Sequence, residues 1–139
     1  MKNLNVFICS LLLFVAFTVS KEVQADDSKQ IPLDSLIGQY DGRMQVHSGR
    51  FSEFNYQIEI VSIDKSANTV SLTAHCQDCE TKEIKRNNCA ITEAKENIKF
   101  VCKKKSSDEL YTFNGSALEV KGIGNKFPYT INVTKVVKK

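Results

Sequence analysis

The side chains with the most chemistry to offer in this 139-residue chain are its sulfur atoms. Cys9 lies in an apolar N-terminal run, whereas Cys76, Cys79, Cys89 and Cys102 fall together in the middle of the sequence. Three chemistries fit such a set. In an oxidising compartment the default is two disulfides, for which four cysteines allow three connectivities. A Cys76-x-x-Cys79 pair also has the spacing of a redox centre, but those centres are tuned by a helix N-terminus beside a strand-rich α/β scaffold, and the residues here do not read as helix. His75 beside the pair suggests zinc, yet a closed zinc site wants a second closely spaced ligand pair, and Cys89 and Cys102 are far apart. Two disulfides are the expectation.

Elsewhere, catalytic patterns are not found. His47 and His75 have no patterned nucleophile beside them, and neither a glycine-rich phosphate loop nor an HExxH helix occurs. Asp41, Asp64 and Asp108 sit in turn-like or charged neighbourhoods, where solvated carboxylates are usual. No catalytic residue, cofactor or metal is expected. The other chemical feature is a set of cations, Lys85, Arg86, Lys103, Lys104 and Lys105. Gathered at one end of a fold they would attract an acidic partner or, weakly, an anionic surface; as solvated lysines they would keep a sheet edge from pairing. Two sequons, Asn114-Gly115-Ser116 and Asn132-Val133-Thr134, matter only in a host that glycosylates secreted proteins.

The N-terminus says where these groups work. Lys2 precedes an apolar run from Val6 to Val19, and Val23-Gln24-Ala25 offers small residues at the first and third places before a cut. This is the pattern of a secretory signal peptide cleaved after Ala25, giving a secreted or periplasmic protein. The run is shorter than the roughly 20 residues that span a bilayer. Ile8 before Cys9 does not suit lipidation. Removing residues 1–25 leaves 114 residues with 17 basic and 15 acidic side chains, a net charge of +2. That balance argues against a nucleic-acid partner, and the length suits one domain. A polar lead-in is expected over residues 26–35, and the domain over 36–139.

Alternation of apolar and polar residues dominates the rest, so the domain reads as all-β. Phe54, Tyr56, Ile58 and Ile60 share one face while Glu53, Asn55, Gln57 and Glu59 share the other, as a half-buried strand requires. Strands are expected at Leu36–His47, Glu53–Ile63, Thr69–Cys76, Ile84–Ile91, Asn97–Lys103, Glu109–Asn114, Ser116–Lys121 and Pro128–Val136. About eight antiparallel strands favour a small barrel, whose closure removes both sheet edges; a two-sheet β-sandwich is the alternative. Asn114-Gly115 reads as a type I′ turn that sets Phe113 opposite Ser116 and Tyr111 opposite Leu118. Gly122-Ile123-Gly124-Asn125 reads as another turn.

Register then selects among the disulfides. If Ile91 pairs with Phe100, both apolar rows share a face and Cys89 lies opposite Cys102, which leaves Cys76 to Cys79. The crossed pairing, Cys76–Cys102 with Cys79–Cys89, would instead tie the third strand to the fifth. The first arrangement is expected. It also sets Arg86 opposite Lys105 and Asn87 opposite Lys104, gathering the cations at one barrel end. Inward rows carry Tyr40, Met44, Tyr56, Phe100, Tyr111 and Tyr129, candidates to line the lumen. So many large side chains favour a packed interior over a ligand cavity.

Leu36-Ile37-Gly38-Gln39-Tyr40, opening the first strand of a secreted eight-strand pattern, resembles the Gly-x-aromatic start of the calycin barrels, which include lipocalins, avidins and some bacterial protease inhibitors. Lipocalins and the bacterial inhibitors usually place tryptophan where Tyr40 stands, and this chain contains none. The resemblance implies small-ligand binding in the lumen or inhibition of a protease, with Gly38 and Tyr40 closing the barrel floor. The expected function is a non-catalytic binding module of protein-interaction or inhibitor type, with a carrier of a small apolar ligand as the alternative.

Overall fold

A computed structural model describes residues 29–124 and 126–139; the expected export segment and its expected cleavage site lie outside them. Eight strands run in order: β1 Gly38–His47, β2 Phe51–Asp64, β3 Thr69–Cys76, β4 Glu83–Ala94, β5 Ile98–Lys103, β6 Asp108–Phe113, β7 Ala117–Ile123 and β8 Pro128–Lys135. Each pairs antiparallel with the next, and β8 pairs with β1, so the sheet closes into a barrel and no sandwich forms. Alternation becomes burial directly. Along β3, Val70, Leu72, Ala74 and Cys76 are buried while the residues between them are only half covered. Ile58, Ile60, Ile98, Phe100, Phe113, Leu118, Val120 and Ile131 complete the filling.

One end of the barrel is stoppered. A 3-10 turn at Leu33–Leu36 lays Leu36 fully buried across the lumen, and Ile31 and Leu33 pack against the core beside it. The Tyr40 hydroxyl donates to the Leu36 carbonyl at 2.6 Å, its ring meets Phe113 edge-on at 5.9 Å, and Lys135 Nζ donates to the Ser35 carbonyl. Ile31 N–H donates to Lys95 O at 3.0 Å. Ile31 and Leu33, within the stretch expected as a polar lead-in, therefore pack against the floor, while Pro32 and Asp34 stay exposed.

Both disulfides join as expected, Cys89–Cys102 across β4 and β5 and Cys76–Cys79 around the start of the β3–β4 loop. Ile91 does pair with Phe100, and the Cys89 and Cys102 Cα atoms stand 4.4 Å apart, the spacing of a non-hydrogen-bonded antiparallel pair.

Three expectations of register are corrected. In the β6–β7 hairpin Phe113 pairs with Leu118 and Tyr111 with Val120, so the turn centres on Gly115-Ser116. Asn114 uses its side chain in place of a left-handed backbone: Oδ1 accepts from the Ser116 and Ala117 N–H groups at 3.1 and 2.9 Å. Only Gly115, at φ 104°, takes the positive value, as a glycine at the first central place of a two-residue loop can. Second, Gly122 is a strand residue paired with Tyr129. A Cβ there would lie 2.5 Å from the Tyr129 ring, so its bareness is what lets that ring lie inside. Third, β4 is bulged. Val70 pairs with Cys89 but Leu72 with Arg86, so Asn87 and Asn88 together oppose Ser71, with Asn88 at φ 57°. The extra residue switches which face the side chains before it occupy.

Candidate functional site

The stoppered end holds the β2–β3, β4–β5 and β6–β7 turns; the opposite end is open. There Met44 and Val46 near the end of β1, Tyr56 of β2, Ile84 and Arg86 at the start of β4, Glu109 at the start of β6, and Tyr129 at the start of β8 surround a cup of about 490 Å³. The loops supply Cys79, Thr81, Lys104, Gly124, Lys126 and Phe127 to its wall. Its size falls within the range of small-molecule pockets.

The floor of the cup is ionic. Glu109 is only 6% exposed, the one charged residue buried among those described. Arg86 grips it in a fork, Nε to Oε2 at 3.0 Å and Nη2 to Oε1 at 3.3 Å. The Tyr111 hydroxyl donates to Oε2 at 3.0 Å and the Tyr129 hydroxyl to Oε1 at 2.5 Å. Lys104 Nζ stands 3.6 Å from Oε1 and donates to the Tyr129 hydroxyl at 3.1 Å and the Ile123 carbonyl at 3.0 Å, its ammonium 5.1 Å from the Tyr129 ring centre.

Alternation places these groups. Glu109 leads the inward row of Tyr111 and Phe113, and Lys104 extends that of Phe100 and Cys102. Arg86 turns inward with Ile84 because of the bulge at Asn87-Asn88. Burial by itself would push the Glu109 carboxyl up, but hydrogen bonds from Arg86 and Tyr129 and the charges of Arg86 and Lys104 hold it below its ordinary value of 4.5. Burial disfavours the Arg86 cation, and its bond to Glu109 more than offsets that, raising its pKa. Tyr56 is pushed up to about 12, by burial first and then by the Glu109 charge.

The six expected lining residues divide between two regions. Tyr40, Phe100 and Tyr111 are buried in the packed half, where Phe100 stacks on Tyr111 with ring centres 4.6 Å apart. Met44, Tyr56 and Tyr129 line the cup. The five expected cations do not form one outward surface. Arg86 and Lys104 are drawn inside by Glu109, their side chains 22% and 17% exposed. Lys85, next to Arg86 on the outward face, is exposed and pairs with Glu83 at 3.4 Å. Lys103 and Lys105 remain exposed. Asp41 and His75 border a polar hollow of about 260 Å³ on the outer wall, where Gln57 donates to Asp41 at 2.7 Å. Glu109 was not singled out from the sequence, although its parity with Tyr111 and Phe113 carried the signal.

No family model matches the chain, and neither a curated protein nor a solved structure matches it.

Proposed function

We propose that this is an exported binding module with no chemistry of its own, and that the mouth of the barrel takes up a small, partly apolar ligand. The observation that carries this reading is the half-filled lumen. Below, Leu36, Tyr40, Phe100 and Phe113 leave a solid plug; above, the same barrel opens into a cup walled by Met44, Val46, Ile84 and Phe127. Apolar walls with a few convergent polar groups are the usual make-up of a ligand pocket. Glu109 is a poor candidate for a general base, since both its oxygens already accept hydrogen bonds and its pKa is lowered. Two disulfides are compatible with an extracellular or periplasmic setting. The closed eight-strand barrel, with Gly38 and Tyr40 at its stoppered floor, is compatible with the calycin resemblance, which implies small-ligand binding in the lumen or inhibition of a protease.

Native mass spectrometry of gently extracted protein, with displacement of a neutral naphthylamine fluorophore, tests this. A bound small molecule, or displaceable fluorescence lost on Met44→Arg, is expected. An empty protein that leaves the fluorophore dark would refute the reading. A second reading, contact with a protein partner, is favoured by the exposed apolar side chains Ile123 and Phe127 at this same end, near Lys103 and Lys105. Neutralising those two lysines should then weaken binding to an acidic partner and flatten its salt dependence.

A further inference from the structure

The charges around the cup do not balance. Arg86, Lys104 and Lys126 line it, and Glu109 is the one acid among the lining residues. Glu109 is spent on Arg86 and two tyrosine hydroxyls, with Lys104 standing off at 3.6 Å. The floor alone, Arg86 and Lys104 against Glu109, holds one positive charge in excess, in a setting where Lys104 is largely shielded from water. Charge in such a place is costly unless paired.

The hydrogen-bonding inventory leans the same way. Glu109 has both oxygens engaged, and the Tyr129 hydroxyl both donates, to Glu109, and accepts, from Lys104. What the cup still offers a ligand is donors: the Tyr56 hydroxyl, which takes no part in the bonds around Glu109, and the ammonium of Lys126. A ligand with a cationic or donor-rich head would meet like charge and donors. One with a negatively charged acceptor head meets both opposite charge and free N–H and O–H groups.

Resting on the reading that the cup binds a ligand, we propose that this ligand is an anionic amphiphile: a carboxylate or similar singly charged acceptor head on an apolar body, the head seated toward the Tyr56 hydroxyl and Lys126 within the field of the excess positive charge of Lys104 and Arg86, and the body against Met44, Val46, Ile84 and Phe127.

The test uses displacement of the neutral naphthylamine fluorophore from the disulfide-bonded protein by three compounds of equal chain length: decanoate, decanol and decyltrimethylammonium. Decanoate should displace at about tenfold lower concentration than decanol, the worth of one charge-assisted hydrogen bond, and the ammonium compound should be weakest. Lys104→Met should cost decanoate about tenfold more than it costs decanol, whereas Glu109→Gln, which adds to the positive excess, should tighten decanoate relative to decanol. Lys126→Met gives the same sign as Lys104→Met from a residue at the exposed lip, so the result does not depend on one variant folding. Equal displacement by decanoate and decanol, or variants that shift both alike, would overturn the anionic head while leaving the cup as a binding site. A fluorophore that does not bind at all would overturn the cup reading and this inference with it.

Discussion

A carboxylate that is 6% exposed has to be matched by donors, and Glu109 draws them from β4, β6 and β8 and from the β5–β6 loop. Removing one partner of such a pair strands the other. Arg86→Leu should therefore lower stability by about 3 kcal/mol in denaturant unfolding, and combining it with Glu109→Gln should recover much of that loss, the non-additivity being the signature of contact. The carboxyl also links stability to acid. Its folded pKa is depressed, so its contribution is complete above the ordinary value of 4.5 and is lost as pH falls through the lower folded value. Glu109→Gln should show a shallower fall in stability below pH 4.5 than the parent protein, as followed by urea midpoints. Glutamate in a charged stretch beside Asp108 reads as solvated, which is why composition hid it; parity with Tyr111 and Phe113 did not. Lys104 likewise continues the row of Phe100 and Cys102, yet in a run of three lysines it looked like surface.

At the scale of elements, the strands and the disulfides were legible because period-two alternation is strong in β2, β3 and β5, and because pairing Ile91 with Phe100 fixes Cys89 opposite Cys102. What alternation does not carry is an inserted residue. Ile84 and Arg86 share one parity and Cys89 and Ile91 the other, and only a bulge at Asn87-Asn88 lets all four face inward. Without it Arg86 would point to solvent, as expected from the sequence, and Glu109 would lose its fork. The turn at Gly115 was misjudged by one residue for a related reason: Asn114 can cap N–H groups with its side chain as well as adopt positive φ, and here it caps. Gly122 read as turn chemistry because glycine rarely serves a strand interior; its use is space for the Tyr129 ring. Gly122→Ala should push that ring aside, costing about 1–3 kcal/mol, and nuclear magnetic resonance should show the Tyr129 hydroxyl proton losing its hydrogen-bonded shift.

The whole molecule is a barrel that is solid at one end and open at the other, and its tyrosines report on that. All four tyrosines point inward, and burial raises the pKa of each, that of Tyr56 to about 12 and those of Tyr40, Tyr111 and Tyr129 well above the ordinary value of 10.0. Phenols kept neutral in the fold but ionising near 10 when unfolded make stability fall as pH rises above about 10. Absorbance at 295 nm should therefore stay flat through pH 10 and 11, then rise in one step together with loss of the β-sheet circular dichroism. Independent ionisation of one or more tyrosines near pH 10 would contradict the burial described here.

The central claim is that the open half of the lumen binds a small ligand. Met44 is a convenient reporter because the chain has only one other methionine, Met1 at its start, and the Met44 side chain lines the cup. Titrating decanoate into methyl-labelled protein should move the Met44 methyl resonance saturably while methyls of the packed half, such as Ile58 and Leu118, stay in place. A Met44 signal that does not move at saturating concentration, or shifts confined to the outer wall, would contradict the account.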